Sequence, residues 1–168
     1  MLTGGHIAAS YLLAESAKAI GIPLPNADVL NIIVAGNIID LDFFIGFFNG
    51  KTGEAHHQNI THTPFGILLI WGGMNLLFHP SIYVSILLFI SLFMHLILDD
   101  VGYWIYRLKL HKFVVNPQVN WFYPFTPFHT YPLVTNNKTI LKNYLFKTWP
   151  IALIEFVLIL AALVIFLH

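Results

Sequence analysis

Phe93-Met94-His95-Leu96-Ile97-Leu98-Asp99-Asp100 closes a run that holds no Asp, Glu, Lys or Arg after Glu54. On a helix, His95 and Asp99 stand at i and i+4 on one face, close enough to grip a single cation. An imidazole and a carboxylate at the end of an apolar segment cost free energy unless they are paired, ligated or wetted, so the pair marks a functional site. Working back from it, Pro80 to Leu98 is long enough to cross a bilayer and Pro64 to Phe78 is slightly short. The two read as a helical hairpin over residues 64–98 that turns at His79-Pro80. A hairpin returns the chain to the side it left, which brings His62, just before the first arm, back toward Asp99.

The composition agrees with a membrane setting. The chain has 168 residues, 57% of them hydrophobic and 10% charged, with a mean hydropathy of +0.73, whereas soluble domains average about 25% charged residues. One domain over 1–168 is expected. The formal net charge is zero and no basic stripe runs along the chain, so no nucleic-acid binding is expected. Cysteine is absent, which leaves His, Asp and Glu as the strong metal donors.

Residues from about Gly5 to Ile20 carry apolar side chains at helical spacing, with His6 in the opening turn, and Gly21, Pro23 and Pro25 stop the pattern. Met1 to Gly5 lacks a positive charge, and Glu15 and Lys18 interrupt the apolar part, unlike a cleavable signal peptide. A second helix, capped by Asn26 or Asp28, runs through Ile39 into Asp40-Leu41-Asp42. Both are short or mixed, as suits helices buried in protein or lying at the interface. Residues 43–54 read as a glycine-punctuated loop. The block His56-His57-Gln58-Asn59-Ile60-Thr61-His62 then precedes Pro64. Residues 101–148 read as an interfacial segment, because they combine an aromatic patch, Trp121 to Phe125, with six of the eight positive charges. By the positive-inside bias this side is cytoplasmic. Trp149 to Leu167 reads as a C-terminal span over 149–167 that carries Glu155, wetted or paired with Lys147 or another helix.

His6, Asp40, Asp42, His57, His62, His95 and Asp99 are the polar residues that membrane residence does not explain. Imidazole and carboxylate without thiolate suit Zn, Mn or Fe, one ion or two. Neighbours at i and i+2 diverge, so one of Asp40 and Asp42 is the expected ligand, with Asp40 preferred. His57 is open between ligand, supporting residue and loop, and Asp100 is expected to cap or face water.

At these residues the chain resembles the YdjM-type family of inner-membrane proteins, regarded as metal-dependent hydrolases. The shared features are an early His (His6), an Asp-x-Asp (Asp40-Leu41-Asp42), a His-x4-Thr-His block (His57 to His62) and a His-x3-Asp (His95 to Asp99). Ile39, Phe43 and Gln58 stand where that family commonly has Pro, His and Arg. More distantly, the pattern is similar to the zinc-dependent phospholipase C and P1 nuclease type. That likeness implies an all-α, phospholipase C/P1 nuclease-like fold, with His6, Asp40, His62, His95 and Asp99 as metal ligands, Asp99 bridging, and His111 or His129 as later donors.

The expectation is a polytopic membrane helical bundle in the inner membrane, its site facing the cytoplasm. It would hydrolyse a phosphoester or lipid-linked substrate with metal-activated water, Asp42 or Asp40 accepting the proton and His57 assisting. Membrane lipid and a small-molecule or lipid substrate are the expected partners. The alternative is a non-enzymatic transporter or metal- or proton-binding protein that uses the same residues, which would need a polar path through the two hairpin arms.

Overall fold

The computed structural model describes residues 2–42, 59–110, 117–127, 146 and 148–168. His56, His57, His111, His129 and the loop expected at 43–54 therefore lie outside the described residues. Among the described residues the chain forms helices α1 (Thr3–Ala19), α2 (Asn26–Ile38), α3 (Pro64–Phe78), α4 (Ile82–Arg107) and α5 (Trp149–Leu167), with 3-10 turns at Ile39–Leu41 and Ile60–His62. Two of them, α4 and α5, are long and apolar enough to cross a membrane.

Local chemistry sets the boundaries. Helix α1 ends where Gly21 takes φ +90°. The Gly21 and Ile22 amides turn back to the carbonyls of Lys18 and Ala17 at 2.9 and 3.0 Å, a closure that favours glycine at the left-handed residue. Helix α3 starts on Thr63, whose hydroxyl accepts from the Gly66 amide at 2.9 Å, followed by Pro64 in the first turn. His79, in the left-handed region with φ 45°, ends α3, and the Ser81 hydroxyl caps α4 by accepting from the Val84 amide at 3.3 Å.

Helix α4 runs nine residues beyond the expected end at Leu98. Asp99 and Asp100 do not break it, because both are buried with partners of their own. Its stop comes at Lys109, whose φ of 59° lets the Leu110 amide reach the Ile105 carbonyl at 3.1 Å. The segment read as interfacial from residue 101 thus begins as helix.

The register of the bundle follows from paired side chains. His6 faces Asp99 and Ser10 faces Ser91, so α1 runs antiparallel to α4. Ser91 also bonds the Ile32 carbonyl at 2.9 Å and His95 the Gly36 carbonyl at 2.6 Å, so α2 runs with α4. Glu155 meets the amides of Leu2 and Gly5, and Phe166 sits edge-on to Tyr11 at 6.3 Å, so α5 runs with α1. Small residues make these approaches possible, as expected where lipid removes the hydrophobic drive between helices. A Cβ on Gly36 would run into the hydroxyls of Ser10 and Ser91. The core consists of Ala14, Ala17, Ile32, Ala35, Ile39, Ile67, Leu88, Leu92 and Leu96 with their neighbours. Glu155 is the one residue of α5 that is fully buried.

Candidate metal centre

Four pieces of chain end at the same place. The first turn of α1 supplies His6, the 3-10 turn after α2 supplies Asp40, the 3-10 turn before α3 supplies His62, and α4 supplies His95 and Asp99. His6, His62, His95 and Asp99 are buried, and Asp40 keeps 18% of its side-chain surface open. Two overlapping groups, His6 with Asp40 and His95, and His62 with His95 and Asp99, have donor atoms within 4.8 Å of one another.

Asp99 divides its two oxygens. Oδ1 is 3.1 Å from His6 Nε2, while Oδ2 is 3.2 Å from His95 Nε2 and 3.7 Å from His62 Nε2. Asp40 Oδ1 lies 3.3 Å from His95 Nε2 and 3.6 Å from His62 Nε2. The imidazoles of His6 and His95 are stacked, with centroids 3.8 Å apart.

The far nitrogen of each central ring is tied down. His95 Nδ1 donates to the Gly36 carbonyl, and His62 Nδ1 is 3.1 Å from Asp42 Oδ2. Both ties direct Nε2 into the cluster, the arrangement by which outer partners fix the tautomer of a metal-ligating histidine. Asp42 Oδ2 also accepts from Asn59 Nδ2 at 3.1 Å and from the Thr61 hydroxyl. Burial alone would raise the Asp42 carboxyl, yet the bonds from His62, Thr61 and Asn59 hold it below the usual carboxylate range. Burial likewise opposes charge on His62, but Asp40, Asp42 and Asp99 outweigh it and push the imidazole above its ordinary value. A field that favours a proton on His62 also favours a cation.

The residues present fit a divalent metal. His6 Nδ1 and His95 Nε2 are buried without a hydrogen bond, although His95 Nε2 has two carboxylate oxygens within 3.3 Å. Buried imidazoles gathered with carboxylates, one ring nitrogen left without a hydrogen bond, are what a ligand set looks like, and the hard and borderline donors suit zinc, manganese or iron.

The structure thus brings together His6, Asp40, His62, His95 and Asp99. Asp42 sits one layer out, against the Nδ1 side of His62 rather than among the Nε2 atoms. His79 lies at the α3–α4 turn and His168 at the end of α5, away from the cluster.

Asp100 neither faces water nor joins the site. It accepts from the amides of Gln118 and Val119 at 2.6 and 3.2 Å and from Trp121 Nε1 at 2.6 Å, fastening the 117–127 segment to α4. Trp121, expected in a membrane belt, is instead held inward, whereas Phe122 and Phe125 remain exposed. Glu155, expected to be wetted or paired with Lys147 or another helix, meets another helix, α1: its Oε1 accepts from the Gly5 amide at 3.1 Å, a partner that sequence reasoning did not specify. The signal was a lone carboxylate in an otherwise uncharged span. Sequence reasoning missed Gly66, where a Cβ would strike the Ile60 carbonyl and push the turn that carries His62.

The described residues thus form a helical protein with two helices long and apolar enough to cross a bilayer and a buried His/Asp cluster, a candidate metal centre, at one end. The chain belongs to the YdjM inner membrane protein family, whose model matches residues 1–168, the whole chain. No curated protein and no solved structure gives a significant match.

Proposed function

We propose that this chain is a multi-pass inner-membrane hydrolase that depends on one or two divalent ions, zinc foremost, and acts on phosphoester or lipid-linked substrates at a site on the cytoplasm-facing side. The observation that carries the reading is the convergence of five donors from four separate pieces of chain, two of them with their rings fixed from behind by Asp42 and by the Gly36 carbonyl. His6, Asp40, His62, His95 and Asp99 would hold the metal. A bound divalent cation supplies Lewis acidity, which lowers the pKa of water and offsets charge on a phosphoryl or carbonyl oxygen.

The chain's own groups do the rest. Asp99 reaches His6 with one oxygen and His95 and His62 with the other, and would be the residue shared if two ions were held. Asp40, the most open member, is placed to take a proton from an entering water and pass it outward. His57, five residues before His62, is a second candidate for that transfer. Asp42 keeps His62 in one tautomer. The use of these donors is similar to the phospholipase C and P1 nuclease type.

Transport of an ion would need polar groups through the bundle. Beneath the cluster the buried polar side chains among the described residues are the Ser10–Ser91 pair and Ser85, which bonds Asn75; none is ionisable, and they are set among Ala14, Ile32, Ala35, Leu88 and Leu92, which favours chemistry at one end over passage.

Metal analysis of the purified protein beside His95→Ala and Asp99→Asn, with phosphodiesterase and lipase assays, tests the reading. Bound metal and turnover should fall together in both variants. Metal content unchanged in both would overturn it.

A further inference from the structure

We infer that the cluster lies within one leaflet, about 10 Å below the plane at which α4 and α5 leave the bilayer, and that its substrate is a membrane lipid entering from the side. The substrate clause rests on the hydrolase reading; the depth clause does not.

The helices are of two kinds. Helices α1, α2 and α3 have 17, 13 and 15 residues, or roughly 25, 20 and 22 Å at 1.5 Å per residue. None matches a hydrocarbon core of about 30 Å. Helix α4 has 26 residues, or about 39 Å, and α5 has 19, or about 28 Å. The register shows where the short helices fall short. The start of α1, the end of α2 and the start of α3 all meet at the cluster, so these three stop at its level. The two long helices continue past it in the same direction. Helix α4 goes on from Asp99 to Arg107, about 12 Å. Helix α5, running the other way, begins at Trp149, about 9 Å beyond Glu155, and Glu155 touches the residues next to His6.

The side chains on those overhangs mark a boundary. Tyr103, Trp104, Tyr106 and Arg107 crowd the end of α4, and Trp149 opens α5, the aromatic and basic signature of the headgroup level. At the level of the cluster the outer faces are apolar, with Ile97 on α4 and Phe156 and Val157 on α5 all exposed. A charge-bearing site at that level sits beside lipid tails. The segment 117–127, tied to Asp100, runs beside the cluster, with Trp121 edge-on to Phe93 and Tyr123 edge-on to Phe65. A water-soluble ester would have to leave water to reach such a depth, whereas the phosphoester of a lipid needs only a short descent. In the reaction, water adds its oxygen to phosphorus and the ester oxygen leaves with a proton, so no other reactant is required.

The chain has no cysteine, so single cysteines can be added without removing any. Ile97→Cys and Val157→Cys report on the cluster's level, Leu108→Cys and Trp149→Cys on the overhangs, with two sites per level in case one variant fails to fold. Spin-labelled in phosphatidylcholine vesicles, the first pair should relax with oxygen and be protected from a water-soluble nickel chelate. The second pair should respond to nickel. Equal nickel access at all four positions would overturn the depth. In the same vesicles the metal-loaded protein should cleave the long-chain phospholipid at least tenfold faster than a water-soluble short-chain analogue. Equal rates, with labels still reading deep, would overturn the lipid substrate and leave the hydrolase reading standing. Cleavage of neither, with labels reading deep, would remove the hydrolase reading while the depth survives.

Discussion

His62 shows how much of the site depends on single atoms. Its Nε2 points at Asp40 and Asp99 because Asp42 holds Nδ1, and Asp42 is itself steadied by Asn59 and Thr61. Asp42→Asn keeps the shape but blurs the tautomer, and metal affinity should fall about 10- to 100-fold, read by competition with a chelator while helicity stays constant. Gly66 supports the same histidine sterically. Gly66→Ala should destabilise the protein by about 1 to 3 kcal/mol, as overpacking does, and release metal. Gly73→Ala, with open space around its Cβ position, should be neutral or slightly stabilising in the same thermal melts. The five donors could be picked out in the sequence because uncompensated His and Asp are out of place in so apolar a chain. The division of labour between Asp40 and Asp42 could not, since two carboxylates at i and i+2 look alike until the turn that carries them is known.

At the scale of elements, α5 and α1 form one working unit. The Glu155 carboxylate sits at the start of α1, where amides lack helical partners and negative charge is favoured, and it fixes the turn that bears His6. Glu155→Ala should cost about 1 to 2 kcal/mol, the scale of a lost cap, and should weaken metal binding although Glu155 touches no metal donor. Phe156→Ala, on the exposed side of the same helix, should leave metal binding unchanged in the same titration. The hairpin was legible because Pro64, Pro80 and the charge-free run announce it. The true end of α4 was not, because a pair of aspartates resembles a helix stop unless their buried partners are seen. Asp100 makes the point: its acceptors are filled by Gln118, Val119 and Trp121, far along the chain. Trp121→Phe removes one of those donors and should loosen the 117–127 segment, seen as faster proteolysis there with α4 unaffected.

Taken whole, the molecule places short and long helices around one polar end. The membrane class could be read from composition alone, and the all-helical architecture from apolar periodicity and punctuation. The meeting of the four motif segments could only be expected, because it depends on registers set by Ser10, Ser91, Gly36 and Glu155, residues whose roles emerge from packing. X-ray absorption of the zinc-loaded protein measures that meeting most directly. A zinc shell of nitrogen and oxygen with imidazole outer-shell scattering is expected, with the imidazole signal falling in His62→Ala and again in His95→Ala. A shell without imidazole, or one unchanged in both variants, would contradict a common site for these residues.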